Sequence, residues 1–271
     1  MKKHYFPKVL LIAPTLIISI AFFLLPIAKL VQLSLAKEAG HTYWSIVSES
    51  TYSMSLISTV VLSVAVTLVS LIIATSCGLF LTQHHFKGKA LLISLLSFPL
   101  AFPGVVIGFF IIMLGGRQGA IAQLSMALLG ERWVFAYTMI GLFLGYLYFS
   151  IPRVVLTVMG AAEKLDNNLL EAGRSLGASR WQILRDITLP ALMPGLISSG
   201  SICFATSMGA FGTAFSLASD INVLPMTIYT EFTLNANFAM AAALSLILGL
   251  ITWICLLIAR FKGTPSLSLG A

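Results

Sequence analysis

The sequence predicts an all-α polytopic membrane protein with six transmembrane helices. Three observations carry that prediction. Of 271 residues, 58% are hydrophobic and only 9% are charged, against about 25% charged in ordinary soluble domains. The apolar residues are gathered into six runs, each long enough for the roughly 20 residues a helix needs to cross about 30 Å of hydrocarbon. Helices satisfy every backbone polar group within such a run, and no other spanning solution fits runs this long and unbroken.

The runs cover residues 9–35, 54–82, 90–114, 133–160, 191–215 and 238–259. The first follows Lys2, Lys3 and Lys8 and ends at a small-x-small pattern, Ser34-Leu35-Ala36. It is far longer than the roughly 7–15-residue core of a cleaved signal, so it reads as an uncleaved helix. Residues 41–52 place Tyr43 and Trp44 at an interface, and Ile121, Leu124 and Leu128 predict a short surface helix within 116–132. The loop 216–237 has Pro225 at a first helical position and Asp220 and Glu231 as its acidic residues. It reads either as solvated or as a contact for a substrate-delivering partner.

Orientation follows from the basic residues. With the N-terminus inside, Lys2, Lys3, Lys8, Lys87, Lys89, Arg153, Lys164, Arg174, Arg180, Arg185, Arg260 and Lys262 are cytoplasmic. Only Lys29, Lys37, Arg117 and Arg132 lie outside. The net charge of +7 is therefore a topology signal and not a nucleic-acid groove. Both termini are expected to be cytoplasmic.

Within the membrane, Pro99 and Pro103 interrupt the third run, each removing a backbone hydrogen bond. Gly104 follows them, and Ser207, Gly209, Gly212 and Thr213 punctuate the fifth run. Small residues admit close helix approach, and these are also candidates for a pathway or hinge. No Asp, Glu or Lys sits at the middle of a run, and Lys29 and Arg153 read as lying towards the ends. A self-sufficient ion-coupled carrier needs buried ionisable groups, so energy is expected from outside this chain. Catalytic and metal-binding sets are also missing: Cys77, Cys203 and Cys255 lack ligand spacing, and His84-His85 has no acidic partner.

The segment 163–190 breaks the apolar pattern. Asp166 or Asn167 caps a helix through about Leu176, with Leu165, Leu169, Ala172 and Leu176 on one face. Gly177 falls at the position that favours a left-handed conformation. Ser179 and Gln182 form a capping box for a second helix, striped by Trp181, Leu184 and Ile187 and stopped by Pro190. A capped helix pair tied to a membrane helix can transmit a partner's movement. A hairpin resting on lipid is the alternative, which the mixed charges of Arg180, Arg185 and Asp186 fit less well.

This segment resembles the EAA loop of binding-protein-dependent type I ABC importer permeases. The matching residues are Glu171-Ala172-Gly173, Gly177, then nine residues to Ile187 and Leu189-Pro190, with Gly173 where the family usually has Ala. The resemblance implies the MetI-like permease fold, divided into an N-terminal helix and first periplasmic loop (1–53), a permease core (54–262) and a short cytoplasmic tail (263–271). It implies a multi-pass protein of the bacterial inner membrane. It also implies that Glu171, Ala172, Gly173, Gly177, Ser179, Arg180, Ile187, Leu189 and Pro190 couple the chain to a cytoplasmic ABC ATPase dimer. A second permease subunit and a periplasmic substrate-binding protein complete the implied complex. The chain lacks a phosphate-binding loop, so ATP and Mg belong to the partner; no cofactor and no enzymatic activity are expected here. Ser175–Trp181, the Pro99/Pro103 run and Gly209–Thr213 are most similar to the polyamine-type group. Ferric iron, aminoethylphosphonate, thiamine and sulfate are the alternatives within it.

Overall fold

The computed structural model describes residues 8–35, 39–217 and 221–263. Expectations resting on Lys2, Lys3, Ala36, Lys37, Asp220 and residues 264–271 lie outside these residues. The described elements are all helical. Helices α1 (Lys8–Ser19) and α2 (Leu25–Ser34) form one rod through a wide π turn at Ile20–Leu24. They are followed by α3 (Ala39–Ser48), α4 (Ser50–Gln83) and α5 (Lys89–Ser97), the last running into a 3-10 turn at Phe98–Ala101. Next come α6 (Gly104–Gly115), α7 (Ala120–Leu129), α8 (Met139–Ala162), α9 (Asn167–Ser175) and α10 (Arg180–Ile183). A π turn at Leu184–Thr188 continues α10 into α11 (Leu189–Met208). The chain ends with α12 (Phe211–Leu217), α13 (Leu224–Tyr229), a π turn at Thr230–Leu234 and α14 (Phe238–Gly263).

Six helical stretches are long and apolar enough to cross a membrane: Ala13–Ser34, Ser50–Gln83, Gly104–Leu129, Met139–Ala162, Arg180–Met208 and Phe238–Phe261. Two of them correct the sequence reading. The run 90–114 is not one helix, because Phe102 is extended (φ −92°, ψ 136°) and Pro103 follows at φ −60°, ψ 148°. Proline cannot donate a hydrogen bond and pushes its predecessor out of helical conformation. Lys89–Ala101 is therefore a separate, shorter apolar helix, and the chain restarts at Gly104.

The fifth run is displaced as well. Its helix is already running from Arg180, and it ends at Met208 instead of reaching 215. Pro190 does not stop the preceding helix as expected. The Leu189 N–H reaches back five residues to the Leu184 carbonyl. That widened turn accommodates the proline ring and its missing donor just before the helix resumes. The same device precedes Pro26, where the Leu25 N–H bonds the Ile20 carbonyl.

The centre of the bundle is α4 against α8, with α11 packed on both. Val66, Ala74, Val154, Val155, Val158 and Leu192 are fully or almost fully buried there. Helices in lipid gain little from hydrophobic transfer, so close packing of small and branched side chains is what holds such a bundle together. At the end opposite 163–190, the 216–237 loop is anchored and not merely solvated. Buried Glu231 accepts hydrogen bonds from the Tyr52 hydroxyl (3.1 Å) and the Asn235 amide (2.9 Å), and the Leu224 N–H donates to Thr59 Oγ1 (2.7 Å).

Candidate functional site

The 163–190 segment folds as its caps dictate. Asp166 accepts from the Asn168 N–H at 2.9 Å, fixing the start of α9. The end of α9 is a Schellman turn: the Ala178 N–H bonds the Gly173 carbonyl (3.1 Å) and the Gly177 N–H bonds the Arg174 carbonyl (3.0 Å). Gly177 sits at φ +80° to make it. Ser179 and Gln182 then form the reciprocal capping box, at 3.3 and 2.7 Å.

Packing divides the segment into two faces. Leu165 and Leu184 pack with Leu79, Ala162 and Leu192, which roots the segment in the ends of α4, α8 and α11. Gly173 lies where α9 crosses the π turn; a methyl group there would stand 3.0 Å from Ile187 Cδ1. Buried Ile183 completes the inner face. Trp181, expected beside Leu184 and Ile187, instead points away and is 68% exposed. The apolar face expected on α9 is also split. Leu165 is rooted, but Leu169 and Ala172 are exposed and Leu176, at the tip, is 88% exposed. Glu171, Arg174, Arg180, Arg185 and Asp186 share this outer surface. Among the described residues Glu171 has no hydrogen-bond or ion-pair partner, whereas Arg185 and Asp186 lie 3.8 Å apart.

The second region is a recess of about 380 Å³ inside the bundle. Pro99, Phe102, Gly104 and Ile107 form one wall, Phe149 and Arg153 of α8 a second, and the break Gly209–Thr213 a third. Five of the pathway candidates read from sequence thus meet: Pro99, Gly104, Gly209, Gly212 and Thr213. Pro103 and Ser207 are not among the lining residues; Ser207 is buried, and its hydroxyl has no hydrogen-bond partner. Two contacts hold the broken backbone in place. The buried Tyr146 hydroxyl donates to the Ala210 carbonyl at 2.6 Å, and Thr213 Oγ1 donates to the Gly104 carbonyl at 3.0 Å. Gly108 lets α6 and α12 meet, since a methyl group there would lie 2.4 Å from Ser216 Cβ.

Arg153 is the residue the sequence reading undervalued. It was placed towards a span end, yet it precedes the end of α8 at Ala162 by nine residues, about 13 Å along the helix. Arginine near a helix centre costs about 2.5–3.5 kcal/mol on insertion scales, which makes an intramembrane arginine a functional candidate. Arg153 is half-buried, lines the recess, and has no carboxylate within ion-pair distance among the described residues. Among the described residues no Asp or Glu lines the recess. The available signal was a charged residue after Pro152 inside an apolar run.

The chain belongs to the family of binding-protein-dependent transport system inner membrane components, whose profile matches residues 74–261. It is 33% identical over 210 residues to the molybdenum transport system permease protein ModB of Escherichia coli K12, covering 74% of this chain and 91% of ModB. It is 31% identical over 206 residues to the sulfate transport system permease protein CysT of the same strain, covering 73% and 70%. A putative 2-aminoethylphosphonate transport system permease, PhnU of Salmonella choleraesuis, is 26% identical over 249 residues, covering 89% and 87%. In fold, the chain matches a bacterial ABC transporter for alginate import (TM-score 0.77, 16% identity, 92% of each chain). It also matches the MetNI methionine ABC transporter (TM-score 0.62, 15% identity, 79% of this chain and 95% of that one).

The chain is thus a multi-pass inner-membrane permease subunit of a type I ABC importer with the MetI-like fold. ATP hydrolysis belongs to a separate subunit. The relatives correct the polyamine emphasis of the sequence reading. They are named for molybdenum, sulfate and 2-aminoethylphosphonate, of which the last two were among its alternatives.

Proposed function

We propose that this permease carries a tetrahedral oxyanion of the sulfate or molybdate kind, and that ATP-driven movement enters it through residues 163–190. The carrying observation is the charge of the recess, which among the described residues is one guanidinium, Arg153, and no carboxylate. A polycation entering it would meet repulsion, whereas an oxyanion meets the fork geometry that suits it. The names of the relatives at 31–33% identity point the same way.

In this reading the bundle pairs with a second permease subunit. An ATPase dimer docks on the exposed cytoplasmic face of α9 and α10, where Glu171 offers an unpaired carboxylate and Leu176 and Trp181 offer apolar contacts. Glu171, Ala172, Arg180 and Ser179 lie on or beside that face, while Gly173, Gly177 and Ile187 hold its shape. Leu189 and Pro190 join it without a break to α11. ATP binding draws the paired segments together, and α11 transmits the displacement to the Gly209–Thr213 break that walls the recess. A periplasmic binding protein supplies the solute at the opposite end.

The test is uptake by the complete transporter in proteoliposomes, with radiolabelled sulfate, molybdate and spermidine compared under ATP. Sulfate or molybdate should accumulate. Spermidine uptake without oxyanion uptake would sink the substrate reading. Glu171→Ala should lower both ATPase retention on purification and uptake at least tenfold while leaving membrane insertion intact. 2-Aminoethylphosphonate is the second reading, favoured by the relative that spans 89% of this chain, and is tested as a competitor.

A further inference from the structure

We propose that Arg153 and the recess it lines form a transit site where the oxyanion pauses on its way through the membrane. The site rests on the oxyanion reading given above and adds to it a residue and a depth. Three features of the recess support it. Arg153 is half-buried, about 13 Å from the end of α8, and has no carboxylate partner among the described residues, so its donors are available to a visiting anion. The volume of about 380 Å³ equals roughly a dozen waters at about 30 Å³ each, so a small oxyanion fits with part of its hydration retained. Two other polar groups of the lining are already engaged: Thr213 Oγ1 donates to the Gly104 carbonyl, and the Ala210 carbonyl is held by Tyr146.

Among the described side chains that line the recess, Arg153 is the one charged group. That suits transit, because a conducting site must attract its ligand and still release it. A bidentate guanidinium–oxyanion pair gives orientation as well as charge. Lysine would keep the charge and lose the fork. The lining also includes the non-helical junction at Gly209 and Ala210, which continues from the helix rooted in the 163–190 segment. A shift of α11 thereby alters the distance between Arg153 and that junction.

The experiment uses the complete transporter in proteoliposomes with saturating sulfate- or molybdate-loaded binding protein. Arg153→Gln should cut oxyanion uptake per ATP hydrolysed at least tenfold. Arg153→Lys should remain within about threefold of the parent in uptake. Uptake by Arg153→Gln within twofold of the parent overturns the site. A second measurement does not depend on that variant assembling well. In a background with Cys77, Cys203 and Cys255 replaced by serine, Ala210→Cys should react faster with a sulfonate-bearing methanethiosulfonate than with a trimethylammonium one, and sulfate or molybdate should slow the reaction. Equal rates for the two reagents, with no effect of either oxyanion, overturn the site even when uptake is normal. A parent transporter that imports no oxyanion overturns the substrate reading itself, and the transit role with it.

Discussion

At Gly177 the backbone sits at φ +80°, and nothing lies within 4 Å of where a Cβ would be. The constraint there is conformational and not one of space. A left-handed conformation costs a non-glycine residue roughly 1–2 kcal/mol, with Asn and Asp the most tolerant. Coupled uptake should therefore fall in the order Gly, Asn, Ala, Val at position 177, measured in proteoliposomes at matched expression. An order set by side-chain volume alone, with Ala above Asn, would contradict the turn assignment. Gly173 is the opposite case, a matter of space. An added methyl would stand 3.0 Å from the far end of Ile187, which can rotate away, so Gly173→Ala should be tolerated and Gly173→Leu should detach α9 from the π turn. Protease sensitivity of the segment would report the difference. Gly177 was legible in the sequence from its place just past a capped helix, whereas Gly173 stood out only as a glycine where the family usually has alanine, and its packing on Ile187 is seen only in the fold. Arg153 was not legible in the same way, since its depth depends on where α8 ends.

The helical elements show where local signals suffice and where they fail. The caps at Asp166, Gly177 and Ser179–Gln182 were readable because a cap is satisfied within a few residues of chain. The stripe assigned to Trp181, Leu184 and Ile187 holds for its last two members alone. Ile183 and Thr188 complete the inward face at ordinary helical spacing, which leaves Trp181 at its edge and exposed. Periodicity gives a face, and only packing on α4, α8 and α11 shows where that face ends. Two predictions belong at this scale. Ser179→Ala removes a cap worth about 1 kcal/mol, so amide exchange should accelerate over Arg180–Ile183 and stay unchanged in α14. Tyr146→Phe leaves the Ala210 carbonyl without its donor in a buried setting, a loss of about 1–3 kcal/mol, and should lower thermal stability in detergent without lowering expression. An unchanged melting temperature would show that the α11–α12 break is held by other contacts.

Across the whole molecule, the number of spanning stretches and their apolar character were plain from composition, whereas the breaks at Phe102–Pro103 and Gly209–Ala210 were not. Pro99, Pro103, Gly209 and Gly212 were visible as punctuation, but a proline in a long apolar run is compatible with a kink as well as a complete stop. Tertiary packing then holds the break that Pro103 makes: α6 is clasped by α12, through Thr213 to the Gly104 carbonyl and Ser216 to the Val105 carbonyl. The recess exists because these two interruptions, remote in sequence, face the same stretch of α8.

The N-terminal rod has a consequence for how the protein is made. Within the described residues its substantial tertiary neighbour is α14, far later in the chain, with a lesser tie from the Tyr43 hydroxyl to Ser34. The rod must therefore wait in the bilayer, bounded by lipid, until α14 arrives to receive it. Its exposed Phe22, Phe23 and Ile17 suit that wait. Chains truncated before Phe238 should integrate with α1–α2 unattached to the bundle. Cysteine cross-linking between α2 and α14 should then appear only once α14 itself has entered the bilayer, marking the moment this contact closes.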